Sequence, residues 1–147
     1  MKVTILSVGH KMPAWIQEGF NEYARRMPPE VRLDLVELKP GKSKLDDGRS
    51  LLEALPERAT LIALDERGKA VTTQGLSVML AEWMRDATHP CFAIGGADGL
   101  SDEVKEKAAK LVSLSALTLP HQLVRVLLAE QLYRAWSILA RHPYHRE

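Results

Sequence analysis

Residues 90–103 read Pro90-Cys91-Phe92-Ala93-Ile94-Gly95-Gly96-Ala97-Asp98-Gly99-Leu100-Ser101-Asp102-Glu103. The unbroken apolar run after Pro90 predicts a strand buried on both faces, because a half-exposed strand alternates. The glycines end it in a turn. Ser101 can cap a following helix, and Asp102 and Glu103 complement the positive end of its dipole. Strand, glycine turn and capped helix together form one unit of an α/β fold with a largely parallel sheet flanked by helices.

The alternation continues outward. Thr60–Asp65 is a second continuous apolar run, with Glu66-Arg67-Gly68-Lys69 as its turn. Thr73 can cap a helix through Met84 that turns Leu76, Leu80, Trp83 and Met84 inward. Nearer the N-terminus, Val3–Val8 is a β-rich run ending at Gly9, and Pro13–Met27 has helical apolar spacing until Pro28-Pro29 stops it. Val31–Leu38 alternates with period two and reads as a half-exposed edge strand. Lys39–Ser50 carries Pro40, Gly41 and Gly48 and reads as a mobile loop before a short helical piece, Leu51–Leu55.

Downstream, Leu111–Leu119 is apolar with interleaved Ser and Thr, and the longest helix spans about Pro120 to Ala140. That helix has almost no polar face, so it is buried on several sides. One side is expected to face a second subunit, which implies a homodimer.

The chain has 147 residues, a length that predicts a single domain over 1–147. With 46% hydrophobic and 27% charged residues it has the composition of a soluble globular protein, which argues against disorder. A formal charge of +1 argues against coating nucleic acid by bulk charge, though not against local basic patches. The single cysteine, Cys91, falls in a predicted buried strand and reads as a core residue. It permits no disulfide framework and no cysteine-based zinc site, so no metal is expected, and it suits a reducing, cytoplasmic compartment. The opening apolar run is too short for a secretory leader, and no stretch predicts a membrane span.

Ligands on parallel sheets bind beyond the carboxyl ends of strands. Those ends are Gly9-His10, Leu64-Asp65, Gly95-Gly96 and the Ser115–Leu119 segment. The Gly95–Gly99 turn lets backbone approach a ligand closely, or is simply a tight βα turn; it matches neither GxGxxG nor a P-loop. Ser113–His121 can clasp an adenine edge with free backbone groups, or is an edge strand entering a helix. Asp65 can touch a ligand or stabilise its own turn. Lys39, Lys42 and Lys44, with Lys11, Arg25 and Arg26, form a phosphate-facing patch or, as the favoured reading, a solvated face. In the ending His142-Pro143-Tyr144-His145-Arg146, Tyr144 can stack on a base and Arg146 can hold a phosphate or an oxyanion. The rival readings are a metal site, which two histidines without acid or thiol partners make poorly, and a frayed terminus. No Gly-x-Ser-x-Gly nucleophile elbow is present.

Several segments together resemble one family closely. They are Ile94–Ser101, Leu114–His121, Arg125, Glu130–Ala135 and the His142–Arg146 ending, with Val8-Gly9, Lys11-Met12-Pro13, Trp15 and Leu64–Gly68 in support. The family is the bacterial ribosomal RNA large subunit methyltransferase H family, of the SPOUT class. The resemblance implies an α/β fold with a C-terminal trefoil knot, a homodimer, and S-adenosyl-L-methionine as cofactor. It implies methylation of N3 of a pseudouridine in 23S rRNA on assembled ribosomes.

Carried over by motif, Leu64, Gly96, Ser115, Ala116, Leu117, Thr118, Leu119 and Pro120 would contact the cofactor. Tyr144, His145 and Arg146 would complete the partner's active site: Tyr144 orienting the base, His145 accepting a proton, Arg146 stabilising negative charge, with His121 a lesser candidate. The sequence departs from the family at Ala97-Asp98, where a pair such as Pro-Glu is expected, and in a short Lys39–Glu57 stretch. Competing readings are a SPOUT enzyme acting on tRNA, a ribosome-binding module without catalysis, and a flavodoxin-like nucleotide binder.

Overall fold

The computed structural model describes residues 1–146. Its strands are β1 (Lys2–Val8), β2 (Arg32–Leu38), β3 (Thr60–Ala70), β4 (Pro90–Ile94) and β5 (Lys110–Ser113). They pair in the order β2-β1-β4-β3-β5, and every pairing is parallel. The helices are α1 (Ala14–Ala24), α2 (Lys44–Ala54), α3 (Thr73–Arg85), α4 (Asp102–Lys107) and α5 (His121–Leu139), and a 3-10 turn covers Pro143–Arg146. The expected α/β fold with a parallel sheet is what the chain adopts, and β2 lies at an edge as its alternation predicts.

Successive side chains of a strand point to opposite faces, so the central strands feed two cores. Val3 and Ile5 of β1, Ile62 of β3 and Phe92 and Ile94 of β4 pack with Leu80, Trp83, Leu128 and Leu132 from α3 and α5. Leu6 and Val8, Leu61 and Ala63, and Cys91 and Ala93 pack on the other face with Leu51 and Val104 from α2 and α4. Trp83 meets Phe92 edge-on with ring centroids 5.9 Å apart. Removing Phe92 from water contributes about 1.5–3 kcal/mol. Cys91 is fully buried, and that burial pushes its thiol up to about 12, as suits a core residue rather than a nucleophile.

Two local readings are corrected. Lys39–Ser50 is not all loop, because α2 begins at Lys44, with Ser43 Oγ accepting from the Asp46 N–H at 3.1 Å and Asp46 and Asp47 in the first turn. Gly48 does not break this helix. A Cβ there would stand 2.1 Å from Ser101 Oγ, so glycine is what lets α2 close on the start of α4. Nor does β3 end at Asp65. It resumes after a bulge, with Leu64 and Lys69 both opposite Val112. Within the bulge, Asp65 Oδ1 accepts from the Arg67 N–H at 2.9 Å.

Smaller shifts follow from caps. Thr72, not Thr73, caps α3, its Oγ1 accepting from the Gly75 N–H at 2.9 Å; Thr73 instead donates to Gln131 Oε1 at 2.7 Å. The first helix ends at Ala24, short of Met27. The long apolar helix is buried along Leu128, Ala129, Leu132 and Ala135 and packs on α1 and α3, while Leu139 remains 39% exposed.

Candidate active site

A cleft of about 540 Å³ opens at the carboxyl edge of the sheet, between the ends of β3, β4 and β5. That volume is ordinary for a small-molecule site. Three segments wall it: Leu64–Arg67 after β3, Ile94–Leu100 around the glycine turn, and Ser113–His121 leading into α5, with Lys44, Lys105 and Val124 closing the sides.

Each wall has a local cause. A Cβ on Gly95 would lie 2.5 Å from the Gly99 carbonyl carbon and 2.6 Å from its oxygen, so only glycine lets the turn fold on itself. The turn is pinned by a Gly99 N–H donating to the Gly96 carbonyl at 3.0 Å. In the third wall, Ser113 Oγ donates to the Ser115 carbonyl at 2.9 Å and Ser115 Oγ accepts from the Leu117 N–H at 2.9 Å. The backbone N–H groups of Ala116, Thr118 and Leu119 have no partner among the described residues, so that loop offers hydrogen-bonding edges without side-chain charge.

Of the cofactor residues expected from the sequence, Leu64, Gly96, Ser115, Leu117, Thr118, Leu119 and Pro120 all line the cleft. Ala116 is not among the residues lining the cleft and is exposed. His121 lines it as well.

Polar groups that the sequence reading left open or missed also gather here. Asp65 is held by Lys105 Nζ at 2.8 Å, and Thr118 Oγ1 donates to Glu66 Oε2 at 3.1 Å, tying the first wall to the third. Burial alone would raise the Asp65 carboxyl, but the Lys105 ammonium and the Arg67 N–H outweigh it and hold it below the usual aspartate value. Asp65 therefore both braces its bulge and faces the cleft. Only its place at a central strand end signalled it; nothing in the sequence singled out Lys105.

Arg125 was noted in the sequence only as part of a motif. It is 1% exposed, and its guanidinium reaches Glu37 Oε2 at 2.6 Å, Ser7 Oγ at 2.9 Å and the Gly9 carbonyl at 3.4 Å. It thus ties α5 to the ends of β1 and β2. An arginine on a helix reads as a solvent residue, so its burial had no sequence signal.

The tail residues lie elsewhere. Tyr144 packs on Tyr133 with centroids 4.6 Å apart and donates its hydroxyl to Glu130 Oε2 at 3.2 Å. Burial, with Glu130 beside it, pushes its phenol above the usual tyrosine range, so it stays neutral. His145 Nδ1 stands 3.3 Å from Ser137 Oγ, and Arg146 is exposed. Ser137 is about 20 Å of helix beyond Val124, which lines the cleft. None of the three tail residues lines the cleft of its own chain.

A family model described as predicted SPOUT methyltransferase matches residues 1–145. The chain belongs to the SPOUT methyltransferase family. Its relatives include proteins called ribosomal RNA large subunit methyltransferase H from Ralstonia pickettii, 53% identical, Herminiimonas arsenicoxydans, 53% identical, and Burkholderia cenocepacia, 54% identical; each comparison covers 99% of both chains. A methyltransferase needs a methyl donor. Among the described residues no cluster of metal-ligating side chains occurs, and no helix is long and apolar enough to cross a membrane.

Proposed function

We propose that this SPOUT methyltransferase transfers a methyl group from S-adenosyl-L-methionine to N3 of a pseudouridine in 23S rRNA, on assembled ribosomes in the cytoplasm, as a homodimer. The observation that carries this reading is the cleft, whose three walls are the segments that resemble the family's cofactor site. Full-length relatives called rRNA large subunit methyltransferases support the substrate class.

The residues present fit the cofactor. The unpartnered N–H groups of the Leu114–Pro120 loop suit an adenine edge, and the glycine turn admits close backbone approach. When bound, S-adenosyl-L-methionine supplies an activated sulfonium methyl. The chain must then position the acceptor, which by itself gives a large part of the rate. N3 of a uracil ring is a protonated imide, and its deprotonation puts charge on the flanking carbonyl oxygens. In the proposal His145 takes that proton, Arg146 stabilises the charge, and the neutral Tyr144 orients the base.

The active site is composite in this reading. The cleft and the tail of one chain do not meet, so a second copy supplies the tail. The trefoil path through the Leu114–Pro120 loop belongs to the same proposal. Methyl transfer from labelled cofactor to ribosomes lacking this modification tests it, with the modified nucleoside mapped by mass spectrometry. N3-methylpseudouridine in 23S rRNA is the expected product; label in tRNA, or none on any ribosomal particle, would contradict it.

A further inference from the structure

Two loops leave the carboxyl edge of the sheet beside the cleft. The loop after β1 holds Lys11 and leads into α1; the loop after β2 holds Lys39 and Lys42 and leads into α2, whose first residue is Lys44. The Gly9 N–H donates to the Leu38 carbonyl at 2.7 Å, which joins the two loops at their roots. All four lysines are exposed, and none is in an ion pair among the described residues. Of the acids nearby, Glu37 pairs with Arg125 and Asp47 Oδ1 accepts from the Gly41 N–H at 2.7 Å, while Asp46 in the first turn of α2 has no ion pair among the described residues. Arg25 and Arg26 do not join this group, since both pair with Glu22.

Trp15 stands in the first turn of α1, four residues beyond Lys11, and is 61% exposed. The ring is therefore free to stack on a flat partner, on the helix that follows the Lys11 loop. Lysines that track a backbone together with an aromatic ring that stacks on a base are the two parts of a single-stranded nucleic-acid surface. The flat balance of the whole chain hides this concentration of charge.

We propose that Lys11, Lys39, Lys42 and Lys44 grip phosphates of the substrate RNA while Trp15 stacks on an unpaired base, guiding the target nucleotide to the cleft. This rests on the rRNA reading above. Lys44 also lines the cleft, so the test uses the other three.

Binding of the full chain to purified large ribosomal subunits is measured across 50–200 mM salt, about the range in which phosphate contacts dominate. The variants are Lys11→Gln/Lys39→Gln/Lys42→Gln, Trp15→Ala and Trp15→Phe, with cofactor affinity measured alongside. The triple variant should bind at least about tenfold more weakly at low salt, with a log–log salt slope shallower by about 2. Trp15→Ala should lose about tenfold with the slope unchanged, and Trp15→Phe should keep most of the binding. Cofactor affinity should not move.

Unchanged affinity and slope in the triple variant would overturn the docking surface. A Trp15→Ala protein that changes its own association state while binding subunits normally would assign the indole to a second copy instead. If the unmodified chain bound cofactor but no ribosomal subunit, the functional reading would fall together with this one; normal binding by wild type and variants alike would remove only the docking surface.

Discussion

The cleft and the tail are both polar, and they are built in opposite ways. The cleft is made of backbone at strand ends, held by glycine packing, a serine-braced loop and the Asp65–Lys105 pair. The tail is made of side chains carried on a single 3-10 turn, laid against α5 through Tyr133, Glu130 and Ser137. Changes in the first region should disturb folding and cofactor capture together. Changes in the second should disturb only chemistry. In the proposed mechanism that contrast divides cofactor binding from catalysis.

Arg146→Ala should break the contrast most visibly. The side chain is exposed, so denaturation midpoints should stay where they are, while methyl transfer to ribosomes falls about 100- to 1,000-fold with cofactor affinity retained. A variant that still turned over normally would remove Arg146 from the reaction. Arg125→Ala should do the reverse. Losing a buried guanidinium strands Ser7 and Glu37, and because Glu37 can rehydrate the cost should be about 2–3 kcal/mol, read by urea unfolding.

Gly95→Ala sharpens the comparison within the cleft. The new Cβ meets backbone that cannot rotate away, so about 1–3 kcal/mol of strain should appear as weaker cofactor binding in calorimetry. Lys105→Met is the smallest effect and depends on pH. The Asp65 carboxyl is depressed in the folded chain, so its contribution is present above the ordinary aspartate range, near pH 3.9, and is lost as pH falls through the lower folded value. The variant should have a flatter acid limb in a stability–pH series, differing from wild type by under about 1 kcal/mol at neutral pH.

These regions also differ in how far they could be read from sequence. The place of Leu64, Gly96, Ser115 and Leu117–Pro120 around one cleft was legible because strand topology nominates the same ends that the family motif does. Ala116 alone of that loop does not line the cleft, because a motif marks a segment and not which of its side chains face inward. The α2 helix was hidden because Gly48 reads as a breaker, and only its contact with Ser101 explains it. Lys105 and Arg125 were illegible for a related reason: their partners, Asp65 and Glu37, are distant in sequence. The tail was illegible as position, since nothing local says which cleft a terminal turn serves.

The most direct test of the composite active site uses two differently tagged chains produced together. One carries Gly95→Val in its cleft, the other Arg146→Ala in its tail, and the doubly tagged mixed dimer is purified. A shared site predicts that the mixed dimer regains about half of wild-type methyl transfer, because one intact cleft meets one intact tail, while both parent dimers stay inactive. A mixed dimer that takes up cofactor and stays as inactive as its parents would contradict it.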